Sequence, residues 1–418
     1  MKRSTRFSLI AIVTEGLLSR LSFGIIGFAL PLYARKLGLS FTQIGLLISL
    51  NSAVALALKP VLGWVADRYG MKRTFVAAIG LRSLVSLFLG FASAPWELFA
   101  IRSAYGVSMS LRDPAANTLI AEHGGKKSVA SAFAWYQTAR FTANSFSKAL
   151  AGILLTVTAA NYPLVFFIAF GLSVLPMLVV MMFVQEQHEE EHLTAQEMPA
   201  PAEPAPATPT GIKSVLPFAG LGFLIAGTAE MLSGLFPVIA TEYAHLSKAQ
   251  AGIVYTISTT VAILAGPVFG WLADHVSQKL VLLIRSLANT VSSVMYLAAP
   301  SFVGIGMAKS VDDMGKAAFR PAWGALMAKI AGTDKKHRAR TMSWLSMGED
   351  AGGVFAPILA GFLWSTWGIG VLMGARIALA VVTEAYAFMI ERKEKDPKNT
   401  TEARRHGENQ ISVAAEVG

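Results

Sequence analysis

The chain is written twice, and that duplication constrains its fold more than any single residue does. Pro60-Val61-Leu62-Gly63-Trp64-Val65-Ala66-Asp67-Arg68-Tyr69-Gly70-Met71-Lys72-Arg73 runs an apolar segment into a Gly, an Asp and a basic cluster. It returns 207 residues later as Pro267-Val268-Phe269-Gly270-Trp271-Leu272-Ala273-Asp274-His275. The same offset relates Leu39, Ser40, Gln43 and Gly45 to Leu246, Ser247, Gln250 and Gly252, and Pro114, Ala115, Leu119 and Ala121 to Pro321, Ala322, Leu326 and Ala328. With two more residues of slippage, Trp135, Ala151 and Gly152 match Trp344, Ala360 and Gly361. A period of about half the chain means one fold used twice.

Composition says where that fold lives. Of 418 residues, 54% are hydrophobic and 15% charged, against about 25% charged in soluble domains. Spans of about 20 apolar residues are expected at 8–33, 42–65, 74–94, 97–121, 129–157 and 163–184, then at 215–241, 249–273, 279–299, 301–331, 340–366 and 369–390. The absence of Cys excludes disulfides and thiolate metal sites. Residues 1–6 are basic, but the apolar run after them continues past Tyr33 without a small-residue cleavage pattern, so the first span is expected to be retained.

The net charge of +10 sits in loops, where it reports orientation rather than nucleic-acid binding. One side holds Lys2, Arg3, Arg6, Arg68, Lys72, Arg73, Lys126, Lys127, Lys279, Lys335, Lys336, Arg338 and Arg340, the other only Arg35, Lys36 and Lys248. This distribution places both termini in the cytoplasm. Residues 1–184 and 214–390 are expected to form the two halves, joined by an acidic, Pro-rich linker at 185–213 and followed by a polar tail at 391–418. Linker and tail are expected to be disordered, with protein partners their natural role. His188 and His192 lie in the acidic run and are read as solvated residues rather than metal ligands.

Gly63-xxx-Asp67-Arg68-x-Gly70-x-Lys72-Arg73, placed between a second and a third hydrophobic segment and echoed in the second half, resembles the loop signature of the major facilitator superfamily of transporters. The resemblance covers about residues 8–390. It implies an all-α membrane protein of twelve transmembrane helices in two pseudo-twofold related six-helix bundles. It also implies a small-molecule or ion substrate moved by alternating access. No Ser/His pair, metal cluster or phosphate loop appears at meaningful spacing, so neither enzymatic activity nor a cofactor is expected. Carried over by residue, Gly63 is a close-packing position and Asp67 a latch against a helix N-terminus of the other half. Arg68, Lys72 and Arg73 support the latch, Glu122 is a candidate partner, and Gly270 and Asp274 are the second-half echo. One departure is Met71, where the family usually has a basic residue.

Charged residues inside spans cost about 2.5 to 3.5 kcal/mol each at mid-membrane on insertion scales, so they face a cavity or a partner. In span ten, Lys309, Asp313, Lys316 and Arg320 share one helical face, with Asp312 beside it. This stripe reads either as a water-filled pathway, favoured because spans one, four, seven and ten line the central cavity in the family, or as a salt-bridge ladder. At the repeat offset Arg102 falls on Lys309 and Asp113 on Arg320. Arg102 followed by Gly106 also resembles the span-four Arg motif tied to proton coupling in family antiporters. In spans five and eleven Arg140 corresponds to Glu349, with Asp350 next to it. The candidate proton or ion carriers are Asp113, Asp313, Glu349, Glu15, Glu230, Asp312 and Asp350. The candidate substrate cations are Arg102, Arg140, Lys309, Lys316 and Arg320. Arg112 is read as snorkelling to the headgroups or else facing inward. Glu15 and Arg20, about 140° apart on their helix, are expected to find other partners. Lys59, Arg82, Lys148, Arg376 and Glu384 are read as structural or near an interface.

The Gly-Pro pair that marks span five of drug exporters is absent from residues 143–152, while a related run, Gly352-Gly353-Val354-Phe355-Ala356-Pro357, occurs in span eleven. Residues 312–321 resemble the facilitator-type proteins of bacterial magnetosome membranes, which opens iron or another metal cation as cargo. Metal binding here is weighed against flanking Lys and Arg, which repel a cation. The membrane expected is the bacterial inner membrane or an organelle derived from it. An uncoupled uniporter and a non-transporting scaffold or receptor remain the other readings.

Overall fold

A computed structural model of the chain describes residues 3–123, 129–184, 210–276, 278–332 and 338–394. In the N-terminal half the helices are α1 (Arg3–Lys36), α2 (Phe41–Tyr69), α3 (Met71–Phe91), α4 (Pro95–His123), α5 (Val129–Val157) and α6 (Tyr162–Phe183). The second half has α7 (Thr210–Glu230), α8 (Lys248–His275), α9 (Gln278–Ala298) and α10 (Phe302–Gly332). A last helical stretch, Arg338–Glu394, turns at Gly368, whose φ of 85° admits no side chain without strain. Its arms are α11, 338–367, and α12, 369–394. The expected linker falls outside the described residues except at its end, where α7 already begins at Thr210.

Among the described residues six stretches are long and apolar enough to cross a membrane, the last of them, Trp344–Ile390, spanning 47 residues and both arms. Helices α4 and α10 are not among these stretches, and each carries two buried charges, Arg102 and Arg112 on α4 and Lys309 and Asp312 on α10.

The repeat explains how two helices start. Ser40 Oγ accepts from the Gln43 amide at 3.2 Å while Gln43 returns a carbonyl to Ser40 N–H at 2.8 Å. Ser247 and Gln250 do the same at 3.2 and 2.9 Å. Each pair is a capping box satisfying two amides that a helix start leaves free. Gly70, the second Gly of the motif, has φ 89° and precedes α3, so the α2–α3 turn requires it.

Within the first half α1 packs on α5 and α6, and α4 on α2 and α3; in the second, α8 and α9 pack on α10. Between halves, α2 meets the α11–α12 hairpin and α5 meets α8. The matched glycines make these crossings possible. A Cβ on Gly152 would overlap the Lys248 carbonyl, and one on its repeat mate Gly361 would overlap the Phe41 carbonyl. Gly45 lies on Pro357 and Gly252 on Lys148 and Ala149. Arg35 pairs bidentately, at 3.0 Å, with Glu242, the residue 207 positions on. Phe41 stacks on Trp364 with ring centres 4.0 Å apart.

These contacts all lie toward one end of the molecule, remote from the repeated motif. There a single apolar core runs through both halves, from Ile25 and Leu47 to Met231, Tyr255, Ala360 and Met373. At the motif end the described core residues form separate clusters, one around Phe75, Leu119 and Tyr136, another around Leu221 and Trp323. Among the described residues, therefore, the bundles share one core at one end, which is sealed, and are separately packed at the other.

Candidate functional site

Between the bundles lies a cavity of about 350 Å³ lined by Ser52, Met109, Asp113, Glu230, Lys316, Glu349, Asp350 and small residues of α2, α7 and α11. The helices that reach it are α4 and its repeat mate α10, together with α2, α7 and the α11 arm. Five candidates from the sequence, Asp113, Glu230, Lys316, Glu349 and Asp350, thus meet on one wall system.

Behind this lining each half holds a buried charge network. In the first, Arg112 of α4 donates twice through one nitrogen to Glu15 of α1 at 2.8 Å and to the Tyr136 hydroxyl at 3.0 Å. Another nitrogen lies 3.2 Å from Asp113. Glu15 is wholly buried and Arg112 is 3% exposed, so of the two readings of Arg112 the inward-facing one holds, and it neutralises Glu15 in a dry interior. Asp113 joins this network to the cavity.

Arg102 is held by the carbonyls of Leu47 and Ile48, each at 3.3 Å, and by the Asn51 side chain. It braces α4 to α2 and is not among the cavity-lining residues. Arg82 reaches Ser19 and the Tyr105 hydroxyl. Arg140 lies over Tyr136, 5.1 Å from its centre.

The second network is centred on α10. Asp312, 1% exposed, pairs with Arg376 of α12, with Lys316 at 2.9 Å and with Arg285 of α9 at 3.7 Å. Asp313 pairs with Lys309 and lies 3.6 Å from Lys316. The described part of the α10 stripe is a salt-bridge ladder, and its Lys316 opens onto the cavity. Glu349 accepts from the Trp323 indole at 3.3 Å.

Helix α7 stops at Glu230 and resumes at Phe236, continuing into a π turn at Ile239–Tyr243. The single expected span 215–241 is thus interrupted. Carbonyls freed at the interruption are taken by other helices: Thr228 accepts from Arg376 at 3.2 Å and Ser233 from the Tyr255 hydroxyl at 3.3 Å. Broken helices of this kind are tolerated where they border a cavity.

Sequence reasoning underweighted Arg376, which is wholly buried on Asp312, and Lys148, whose ammonium lies 4.0 Å from the Tyr255 ring centre. The signal available was general: every charge in an apolar span must have a partner. The side chains of Gly63, Asp67, Glu122, Gly270, Asp274 and Arg320 are outside those described, although their backbones lie in α2, α4, α8 and α10. Arg68, Lys72 and Arg73 flank the α2–α3 turn. Among the described residues no group of three or more His, Asp or Glu is placed to hold a metal ion.

A family profile described as Major Facilitator Superfamily matches residues 16–221 and again 218–415. A multidrug resistance protein MdtG of Serratia proteamaculans is 23% identical over 390 residues, covering 88% of this chain and 89% of that protein. Multidrug resistance protein 1 of Bacillus subtilis is 24% identical over 369 residues, covering 85% and 89%. Among solved structures, a bacterial homolog of the human lysosomal transporter Spinster, inward-facing and unoccupied, superposes with TM-score 0.75 at 16% identity, covering 94% of this chain and 98% of that one. The nucleoside transporter NupG superposes with TM-score 0.71 at 15% identity, covering 93% and 99%. At these identities the structural likeness speaks for the fold.

Proposed function

The chain belongs to the major facilitator superfamily, and from that premise we propose that it is a proton-coupled transporter of a small organic solute working by alternating access. As a member it is a multi-pass membrane transport protein rather than an enzyme. The observation that carries the finer reading is the cavity: Asp113, Glu230, Glu349 and Asp350 border it from both bundles, and the molecule is sealed at the end remote from the repeated motif. Carboxylates in a partly dehydrated cavity exchange a proton when access to water switches sides. Each of Asp113 and Asp313 also has a cation beside it, so proton and cation compete for one carboxylate.

The charge of the loops supports cytoplasmic termini, a cytoplasmic motif end and a bacterial inner membrane. The relatives named for multidrug resistance favour an amphipathic organic solute over a metal ion. The carboxylates of α10, each held by Lys or Arg, suit a proton better than a dehydrated cation.

The test is transport in proteoliposomes under an imposed pH gradient, offering cationic dyes, anionic metabolites, iron and manganese in parallel. Gradient-driven flux of an organic solute that is lost in both Asp113→Asn and Asp313→Asn is the expected result. Flux indifferent to a collapsed gradient would establish a uniporter instead.

A further inference from the structure

Beyond the cavity lining, the sealed end contains a further charge arrangement. Lys148 of α5, in the first bundle, lies 4.0 Å from the centre of the Tyr255 ring. Lys309 of α10, in the second bundle, lies 5.3 Å from that same centre. Tyr255 itself is buried in α8. Its hydroxyl is tied to Ser233 in the α7 interruption, and its ring meets Phe236 and Phe28 of α1 edge-on, at 4.9 and 6.1 Å.

Two ammonium groups from opposite bundles therefore face one ring. In an interface dry enough to bury Lys309 to 4% exposure, like charges so placed repel strongly.

The countercharge is Asp313, ion-paired with Lys309. The groups around Asp313 can be named helix by helix. On α10 they are Lys309, Asp312 and Lys316. From α5 comes Lys148, from α7 Glu230, from α8 Tyr255, and from α9 Arg285 and Tyr296. From α12 comes Arg376, which engages Asp312. Arg376, Arg285 and Lys316 surround Asp312. Asp312 is thus answered three times over, and the carboxylate that balances Lys309 directly is Asp313.

We propose that Lys148, Tyr255, Lys309 and Asp313 form a charge-balanced lock between the two bundles. While Asp313 is ionised, it keeps two lysines on one ring and the end shut. A proton taken up by the Asp313 carboxylate removes the balancing charge, and the two ammonium groups drive that end apart. Lys148 is then a positioning residue whose charge transmits the protonation state of one bundle to the other. This lock rests on the proton-coupled reading above.

Because the chain has no Cys, the separation of the sealed ends can be read with spin labels on Val157→Cys and Thr366→Cys, both exposed and on opposite bundles. The full chain is placed in lipid nanodiscs and compared at mildly alkaline and mildly acidic pH. Acidification is expected to raise the ratio of long to short distances about tenfold, a usual size for coupling between sites. Asp313→Asn is expected to give the long distance at both pH values. Lys148→Met is expected to give the short distance at both, with Lys148→Gln as a second neutral variant should the first not fold. Lys148→Arg, which keeps the charge, is expected to retain the response. If acidification separates the labels equally in the neutral Lys148 variants, the lock is overturned and proton coupling stands. If neither acidification nor Asp313→Asn moves the labels, proton coupling by Asp313 is overturned and the lock with it.

Discussion

At the scale of residues, two ion pairs of similar geometry carry very different weight. Arg35 and Glu242 pair at 3.0 Å, but their side chains remain 38% and 34% exposed, and exposed pairs contribute about 0 to 1 kcal/mol. Arg112 and Glu15 pair at 2.8 Å with side chains 4% and 0% exposed. Removing one partner of a buried pair leaves the other charge uncompensated, at a cost of about 3 to 5 kcal/mol. Arg35→Ala is therefore expected to leave the thermal unfolding midpoint almost unchanged. Glu15→Leu is expected to lower it by many degrees, and Glu15→Leu with Arg112→Met to recover most of the loss because no buried charge is then left unpaired, Asp113 being open to the cavity. A midpoint for Arg35→Ala as low as that for Glu15→Leu would contradict this ranking. The sequence showed that Glu15 and Arg112 each needed a partner. It could not show that they were partners, since 97 residues separate them and only the packing of α1 on α4 brings them together.

At the scale of elements, what was legible in the sequence was what local chemistry decides. Ser40 with Gln43 and Ser247 with Gln250 appeared as repeated letters and are two capping boxes. Ser247→Ala removes the oxygen that accepts the Gln250 amide, and a loss of about 0.5 to 2 kcal/mol is expected by thermal unfolding. Gly368 turns α11 into α12 at φ 85° and ψ 175°, a conformation only glycine adopts readily. Nothing lies within 4 Å of where a Cβ would be, so Gly368→Ala tests backbone strain alone. A loss of about 1 to 3 kcal/mol is expected, and no measurable change would show that this hairpin relaxes freely. The interruption of α7 was not legible. Residues 215–241 are apolar enough for one span, and the break persists because Arg376 and Tyr255, from helices far along the chain, accept the burden of its freed carbonyls. Lys148 was legible only as structural or near an interface for the same reason: its neighbours are the Tyr255 ring and, across that ring, Lys309 of the other bundle.

At the scale of the whole molecule, the repeat determines not only two bundles but the points at which they touch. Gly152 faces Lys248 and Gly361 faces Phe41, and Phe41 is the repeat mate of Lys248, so the two contacts are copies of each other across the pseudo-twofold axis. Both are backbone-on-backbone contacts between bundles, and both exist only while that end is sealed. A methyl group at either position would overlap a carbonyl oxygen, and backbone cannot swing aside as a flexible side chain can. Within each bundle, however, these glycines lie on helix faces that contact the other bundle. Gly152→Ala with Gly361→Ala is therefore expected to spare the fold of each bundle while penalising the sealed state. If sealing is disfavoured by about 3 kcal/mol, the ratio of open to sealed molecules rises on the order of a hundredfold. The expected outcome is a thermal midpoint within a few degrees of the parent, alkylation of Ile48→Cys by a water-soluble maleimide greatly accelerated, and net transport reduced at least about tenfold. Alkylation and transport both at parental rates would mean that sealing tolerates the added methyls, and that the matched glycines answer to folding rather than to the cycle. Slow alkylation with a collapsed midpoint would say the same from the opposite direction, since the penalty would then fall on the bundles themselves.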